Sequence, residues 1–370
     1  MPRLGETLDT FKRLRRVAAS SFGDNQRLAQ REFAPNPGAL RMLFSVPRDL
    51  PENAALVVVL HGCTQSAEGY AAGAGWLDLA ERFGFAILCP EQSTANNPNR
   101  CFNWFEPRDT TRGSGEAASI AVMIREMLAD HPIDPGKVFI TGLSAGGAMT
   151  ASMAAAYPDL FAGAAIIAGL PHGAAASMGE AFRAMSAPAS LTPKAWGDRV
   201  RRASSTGAAW PPISIWHGGA DSTVLPQAAD ALISQWTDVH GVAGPSTPAR
   251  TPDNRRFEVW RTHEGRVVVE HHRFPGMGHG APVKAGGGVN GTAGPFILDV
   301  GTASSLEIAM GWGIVDAPFA TSMAPPRPGS STGPELWEAS RFEGCDPAPE
   351  GSASITDTIE KALRVAGLLE

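Results

Sequence analysis

A serine surrounded by small residues is the strongest chemical signal in the sequence. Residues 142–146 (Gly-Leu-Ser-Ala-Gly) fit the pattern G-x-S-x-G, and another glycine follows at position 147. A strand-like stretch (residues 137–141) precedes them, and an alanine-rich, helix-like stretch follows them. A sharp turn from strand to helix lifts a serine hydroxyl above the end of a sheet, and only small neighbours fit into such a turn. The pattern therefore predicts that Ser144 is a nucleophile.

A serine hydroxyl needs two partners, a histidine that takes its proton and a carboxylate that orients the histidine. In sheets with this turn, the order along the chain is serine, acid, histidine. Asp221 follows the strand-like residues 213–216, and His279 lies in a glycine-rich loop after a later strand-like stretch. We therefore predict Asp221 as the acid and His279 as the general base. Asp238 is a weaker candidate for the acid, and His272 is the alternative base.

The tetrahedral intermediate of acyl transfer also needs backbone N–H donors for its oxyanion. One donor is expected from Ala145, the residue after the serine, because a helix begins there. The second is expected from the loop after the first buried strand (residues 61–65), and we assign it to Cys63. His61 and His217 each precede a glycine at a strand end, where structural hydrogen bonding is the expected role.

The elements that must position these residues alternate along the chain between strand and helix. Short, continuous apolar runs indicate strands that are buried on both faces, and apolar residues at helical spacing indicate helices. Strands are predicted over residues 55–60, 85–89, 138–141, 164–167, 213–216 and 267–274, and helices over residues 76–83 and 116–128. This alternation predicts an α/β protein with a mostly parallel sheet and helices on both faces.

Four segments are predicted from composition. Residues 1–40 form an N-terminal helical extension, residues 41–320 form the α/β catalytic domain, and a Pro/Gly/Ser-rich linker spans residues 321–350. Residues 351–370 are expected to form a C-terminal helix. Within the catalytic domain, the Ala/Ser/Pro-rich residues 170–212 are predicted to be a small cap with one helical piece over the carboxyl edge of the sheet.

Composition excludes several classes of protein. The chain has 370 residues, of which 43% are hydrophobic and 18% charged, so a large core is expected. A formal net charge of −6 argues against a nucleic-acid-binding protein. No apolar run approaches the roughly 18 residues of a membrane span, and the cysteine spacing indicates no metal site. The N-terminal residues do not resemble a signal peptide, so a cytoplasmic location is expected, or a secreted one if a leader has been removed. Composition does not determine the oligomeric state.

Five motifs occur together in a characteristic order. They are LHGCTQ (60–65), CFNWF (101–105), GLSAGG (142–147), IWHGGAD (215–221) and GMGHG (276–280). Over residues 40–315 the chain thus resembles the polyhydroxybutyrate (PHB) depolymerase family of esterases, which is related to carbohydrate esterases of the feruloyl and acetylxylan type. The resemblance implies an α/β-hydrolase fold and no cofactor. It also implies a catalytic triad of Ser144, Asp221 and His279, with Cys63 and Ala145 at the oxyanion hole.

The function implied by the resemblance is that of a serine esterase acting through an acyl-enzyme. The expected substrates are carboxylic esters of short-chain hydroxyalkanoates, as oligomers or as polymer. A feruloyl or acetylxylan esterase is the alternative enzyme, because its chemistry is the same. A catalytically silent binding protein with a hydrolase fold is the alternative from another class.

Two cysteines and two tryptophans lie within these motifs. A disulfide between Cys63 and Cys101 would clamp two loops that flank the expected site. Trp104 and Trp216 are candidates for stacking on a substrate, although aromatic residues near a sheet edge more often serve in packing.

The chain departs from the family at two positions. Phe102 stands where the family often has tryptophan, and residues 280–282 (Gly-Ala-Pro) follow His279 where the family often has another tryptophan. Both positions are expected to line the acyl-binding cleft, so they bear on polymer specificity.

Overall fold

A large mixed β-sheet positions the catalytic candidates. The computed structural model describes residues 27–316 except residues 243, 245–248 and 252–254. Its strands are β1 (Ala29–Arg31), β2 (Arg41–Ser45), β3 (Ala54–Leu60), β4 (Ala86–Glu91), β5 (Ile133–Leu143), β6 (Gly163–Ile167), β7 (Ile213–Gly218), β8 (Ala249–Arg250), β9 (Arg256–Arg261), β10 (Val267–Phe274), β11 (Ala281–Val283) and β12 (Ile297–Asp299). In this part of the chain, ten strands form one sheet in the order β1-β2-β4-β3-β5-β6-β7-β10-β9-β8, and β11 pairs with β12.

The six central strands of the large sheet, from β4 to β10, run parallel to their neighbours. Antiparallel strands complete the sheet, with β2 and β1 on one side and β9 and β8 on the other. Because parallel strands end at the same edge, the loops after β3, β5, β7 and β10 leave the sheet from one side. Ligand sites of open α/β sheets form at this carboxyl edge.

Helices cover both faces of the sheet. They are α1 (Ala67–Gly73), α2 (Trp76–Phe83), α3 (Pro107–Thr110), α4 (Gly115–Asp130), α5 (Ala145–Ala156), α6 (Met178–Ser186), α7 (Pro193–Ala203), α8 (Gln227–His240) and α9 (Ser304–Gly311). Apolar side chains of α4, α5 and α8 pack on one face, and those of α1, α2 and α9 pack on the other. Strand β3 is buried along its whole length, which explains its apolar, β-branched sequence. This three-layer arrangement agrees with the predicted fold class.

The predicted central strands and helices are all present, although some are longer than expected. The strand predicted over residues 85–89 continues to Glu91, and Pro90 pairs with Met42 of antiparallel β2 instead of ending the strand. The cap segment, residues 170–212, contains two helices, α6 and α7, where the sequence indicated one.

The N-terminal segment differs from its prediction within the described residues. Residues 27–40 contain strand β1 and no helix, since the chain pairs with β2 there and forms the edge of the sheet. The remaining part of the predicted extension, the linker (321–350) and the C-terminal helix (351–370) lie outside the described residues. No helix in the described part of the chain is long and apolar enough to cross a membrane.

Three histidines are held neutral by their surroundings. Burial lowers the pKa of His61, His172 and His240 to about 4 in each case. The unfolded chain, with ordinary histidine pKa values near 6.5, binds more protons than the folded chain between about pH 4 and pH 6.5. Folding stability therefore decreases as the pH falls through this range.

His61 offers the sharpest test of this linkage, because its side chain is fully buried. We expect the stability of the wild type to decrease, relative to that of His61→Gln, as the pH falls from 7.5 to 4.5. The change in this difference should be on the order of 2 kcal/mol, since only the wild type must keep this imidazole uncharged. Urea unfolding at several pH values measures it. Parallel stability curves for the two proteins would contradict the prediction.

Candidate active site

Ser144 lies at a strained turn between β5 and α5. Its backbone has φ 58° and ψ −116°, which non-glycine residues rarely adopt, and its N–H donates to the carbonyl of Ile167 at 2.9 Å. The turn brings α5 very close to β3. A Cβ atom on Gly146 would lie 2.4 Å from the carbonyl oxygen of Leu60, and one on Gly142 would lie 2.4 Å from that of Gly146. Glycine is therefore required at both positions.

Three side chains form one hydrogen-bond chain at the carboxyl edge of the sheet. His279 Nε2 lies 2.9 Å from Ser144 Oγ, and His279 Nδ1 lies 2.7 Å from Asp221 Oδ2. They come from the loops after β5, β7 and β10. In this arrangement Nδ1–H donates to the carboxylate, and Nε2 accepts the serine proton. The structure thus brings together the three residues predicted as nucleophile, base and acid.

Asp221 is buried and accepts several hydrogen bonds. Its Oδ1 accepts from the backbone N–H groups of Thr223 and Val224, each at 2.9 Å, and its Oδ2 accepts from His279. Burial disfavours the charged form, but the hydrogen bond from His279 and the nearby imidazoles of His279 and His217 outweigh it. The pKa of Asp221 is therefore lowered, and the carboxylate stays charged beside the imidazole.

Direct backbone packing fixes the distance between the acid and the base. The N–H of Gly219 donates to the carbonyl of Phe274 at 2.6 Å, and that of Ala220 donates to Met277 at 3.0 Å. A Cβ atom on Gly218 would lie 2.2 Å from the carbonyl oxygen of Met277. The two loops therefore lie against each other with no side chain between them.

The alternative acid and base make other contacts. Asp238 forms an ion pair with Arg201 at 2.6 Å. His272 stacks on Trp216 within the sheet, with the ring centroids 3.8 Å apart. Neither side chain belongs to the hydrogen-bond chain of Ser144.

Cys63 lies in the loop after β3, and Ala145 is the first residue of α5. A helix leaves its first N–H groups without intrahelical partners, so the N–H of Ala145 is available beside the serine. We name residues 61–65 the Cys63 loop and residues 92–103 the Cys101 loop. The two loops are joined by a disulfide between Cys63 and Cys101. The predicted oxyanion donors thus lie in the two segments next to Ser144.

An apolar wall made partly by the cap lies beside these groups. Trp104 is buried and packs edge-on against Phe105, with the ring centroids 5.7 Å apart. The cap is fixed to the acid loop through the N–H of Leu225, which donates to the carbonyl of Met185 at 2.9 Å. Buried residues of this wall are Trp104, Phe105, Ala145, Ala148, Leu170, Ala175, Ala181, Ala184, Val224 and Ala228.

Two positions predicted to face the cleft lie in the core instead. Trp216 is only 1% exposed, and its Nε1–H donates to Ser214 Oγ at 2.8 Å, so Trp216 cannot stack on a substrate. Its side chain points to a sheet face because residues alternate along β7. Phe102 is fully buried and packs against His61, with the ring centroids 5.0 Å apart. The replacement of tryptophan at this position therefore affects the core and not the cleft.

A cavity of about 520 Å³ lies apart from this site. It is formed by β5, β7, β10 and α9, and its lining includes Lys137, Ser214, Glu270 and Trp312. None of the three residues of the hydrogen-bond chain lines it. The arrangement at Ser144 is therefore the better candidate for chemistry.

A buried polar cluster that we did not predict lies behind the Cys101 loop. Glu116 is fully buried there and accepts hydrogen bonds from Gln92 and Asn103. An acidic residue in the first turn of a helix is ordinarily exposed, so neither spacing nor composition distinguished Glu116. Its only signal was its place on the apolar side of α4.

The chain is similar to several known proteins. Residues 41–260 match the family model described as Esterase PHB depolymerase. Poly(3-hydroxyalkanoate) depolymerase C of Paucimonas lemoignei is 48% identical over 286 residues, which cover 76% of this chain and 69% of that protein. The acetylxylan esterase of Coprinopsis cinerea is 34% identical over 259 residues, covering 68% of each chain. Among solved structures, an acetyl xylan esterase from Aspergillus awamori matches with a TM-score of 0.62 and 28% identity, over 69% of this chain and 94% of that one.

The close approach at the serine turn generates a stability prediction. Gly146→Ala should lower the free energy of unfolding by about 1–3 kcal/mol, because the added Cβ must displace backbone atoms of β3. Gly179→Ala is the matched control. Gly179 is in helix α6 with no atom within 4 Å of an added Cβ, so this change should be neutral or stabilise by up to about 1 kcal/mol. Denaturant unfolding of both variants tests the contrast, and equal stabilities would contradict it.

Proposed function

Because the chain belongs to the PHB depolymerase family of serine esterases, we propose that Ser144, Asp221 and His279 carry out its ester hydrolysis. The continuous hydrogen-bond chain through His279, at 2.7 Å to Asp221 and 2.9 Å to Ser144, is the observation that supports this assignment. The family is one of esterases, so the alternative of a catalytically silent binding protein is set aside.

In the proposed mechanism, Ser144 Oγ attacks the carbonyl carbon of the ester while its proton passes to His279 Nε2. The tetrahedral intermediate collapses, the bond to the leaving alcohol breaks, and the alcohol takes the proton from the imidazolium. A water molecule then attacks the acyl-enzyme, with His279 again as the base, and releases the acid. Asp221 holds the imidazole in the required tautomer and stabilises its charged form.

The backbone N–H groups of Ala145 and Cys63 are the proposed donors to the oxyanion. The first position is supported by the N-terminus of α5, whose dipole favours negative charge. The second is supported by the disulfide of Cys63 and by the N–H of Thr64, which donates to the carbonyl of Asn99 at 2.7 Å. These bonds on the Cys63 loop limit its movement when charge develops.

The proposed substrate is an ester of a short-chain hydroxyalkanoate, as oligomer or polymer. The relative with 48% identity is named as a poly(3-hydroxyalkanoate) depolymerase. The wall beside Ser144, with Trp104, Leu170 and alanines of the cap, is apolar and suits a short aliphatic acyl group. Acetylated polysaccharide is the second candidate, and two acetylxylan esterases among the matched proteins favour it.

We propose an oxidising compartment as the place where the enzyme acts. The disulfide between Cys63 and Cys101 lies next to the proposed oxyanion hole, and such bonds persist mainly outside the reducing cytoplasm. This observation favours the secreted alternative over the cytoplasmic location expected from the N-terminal residues.

Covalent labelling tests the nucleophile. A fluorophosphonate probe should label the wild type and should not label Ser144→Ala. The kcat of this variant should be lower by about 10⁴–10⁶-fold, while the protein remains folded. Ser222→Ala is the control, because this exposed serine adjoins Asp221 without joining its hydrogen-bond chain. Mass spectrometry after labelling measures the outcome. Persistent labelling of Ser144→Ala would overturn the proposed triad.

Comparison of substrates tests the acyl preference. The value of kcat/KM for a 3-hydroxybutyrate trimer should exceed that for methyl ferulate and for acetylated xylan by about tenfold or more, since a slender aliphatic ester suits the apolar wall better than an aromatic acyl group or a polar polysaccharide does. Titration at constant pH measures the acid that each ester releases, so all substrates can be compared in one assay. Ser144→Ala supplies the background rate. A preference for acetylated xylan would instead support the second candidate.

A further inference from the structure

A buried carboxylate lies behind the two loops that flank the proposed oxyanion hole. Glu116, in the first turn of α4, is fully buried. Its Oε2 accepts from the backbone N–H of Asn103 at 2.9 Å. Its Oε1 accepts from Asn103 Nδ2 at 2.7 Å, from Gln92 Nε2 at 2.5 Å and from Asn96 Nδ2 at 3.3 Å. One carboxylate thus gathers four N–H donors from the Cys101 loop.

Gln92, one of these donors, and Asn97 hold the backbone on both sides of Cys101. Gln92 Nε2 also donates to the carbonyl of Cys101 at 3.1 Å. Asn97 Oδ1 accepts from the N–H of Cys101 at 3.2 Å, and Asn97 Nδ2 donates to Asn103 Oδ1 at 2.9 Å. Glu116 therefore fixes the Cys101 loop at several points through neutral amides, without itself approaching Ser144.

The Cys101 loop contacts the Cys63 loop at residues 61, 63 and 64. The N–H of Gln92 donates to His61 Nε2 at 3.2 Å, Cys63 is bonded covalently to Cys101, and the Arg100 guanidinium donates to the carbonyl of Thr64 at 2.7 Å. These contacts bracket the peptide that carries the N–H of Cys63. Any displacement of the Cys101 loop is thus transmitted to this peptide.

We propose that Glu116 is a positioning residue that holds the N–H of Cys63 in the orientation required to bind the oxyanion. The inference rests on the proposed function, because it requires Cys63 to be an oxyanion donor. Glu116 acts through the Cys101 loop and does not touch the substrate.

The energetic cost of the arrangement supports a functional role. Burial raises the pKa of Glu116 to about 8, and nearby Asp109, whose Oδ1 accepts from the N–H of Glu116, contributes in the same direction. A buried carboxylate with amide partners is less favourable than an apolar side chain of the same size. A buried polar group that lowers stability is expected at positions where the geometry of a site matters for function.

The first test is Glu116→Gln, which keeps the size of the side chain but places an amide group among N–H donors. We expect kcat for p-nitrophenyl butyrate, measured above about pH 8 where Glu116 is charged, to fall 10- to 100-fold with KM changed less than threefold, since an interaction of the transition state is weakened and substrate binding is not. Complete loss of an oxyanion donor costs about 10²–10³-fold, which sets the upper limit. Glu126→Gln, on the same helix and paired with Arg31 at the surface, should leave kcat unchanged.

A second measurement separates positioning from loss of folded enzyme. Titration with a fluorophosphonate counts the active sites, and kcat is calculated per labelled site. A trifluoromethyl ketone inhibitor, which forms an oxyanion on the serine, should bind Glu116→Gln more weakly by a factor similar to the loss in kcat. If kcat per labelled site and the inhibition constant both equal those of the wild type, the proposal is overturned.

Asn103→Ala provides an independent variant if Glu116→Gln does not fold. It removes a single side-chain donor to Glu116 and should lower kcat per labelled site three- to tenfold, again with little change in KM; an unchanged kcat would overturn the proposal. Different results would refute the proposed triad and the proposed role of Glu116. Persistent activity of Ser144→Ala would refute the triad, whereas an inactive Ser144→Ala with a fully active Glu116→Gln would refute only the role of Glu116.

Discussion

The close approach of backbone segments at one edge of the parallel sheet is the constraint on which the site depends. The loops after β7 and β10 touch at Gly218 and Met277 with no side chain between them, and α5 lies equally close to β3 at Gly146. These approaches place His279 Nε2 2.9 Å from Ser144 Oγ and His279 Nδ1 2.7 Å from Asp221 Oδ2. Glycine is needed there because a single methyl group would force the elements apart.

The proposed oxyanion hole consists of main-chain groups and therefore depends on loop position. The Cys63 loop is held by a disulfide, by hydrogen bonds from the Cys101 loop and, behind both, by the buried carboxylate of Glu116. In the proposed arrangement, side chains that do not contact the substrate determine where the N–H of Cys63 points. Electrostatic stabilisation of an oxyanion requires donors that are already in place, which accounts for such extensive support.

Much of the central architecture was predictable because local patterns report on local structure. Apolar, β-branched runs such as β3 identified the buried strands, and the small residues around Ser144 identified the turn. The predictions failed where burial depended on distant neighbours. Trp216, a candidate for stacking on the substrate, lies in the core, since strand alternation directs it to the sheet face beside His272. The second cap helix was also missed, because its short amphipathic sequence is rich in charged residues.

The sequence by itself determined the class of fold, the order of the elements and the chemical identity of the serine, acid and histidine candidates, because these follow from periodicity and from residue types at strand ends. Only the tertiary structure decided which groups meet. The contact between Ser144 and His279 joins residues 135 positions apart, and four donors converge on Glu116 from a loop that precedes it in the chain. Such contacts arise from the packing of whole elements, which no local pattern encodes.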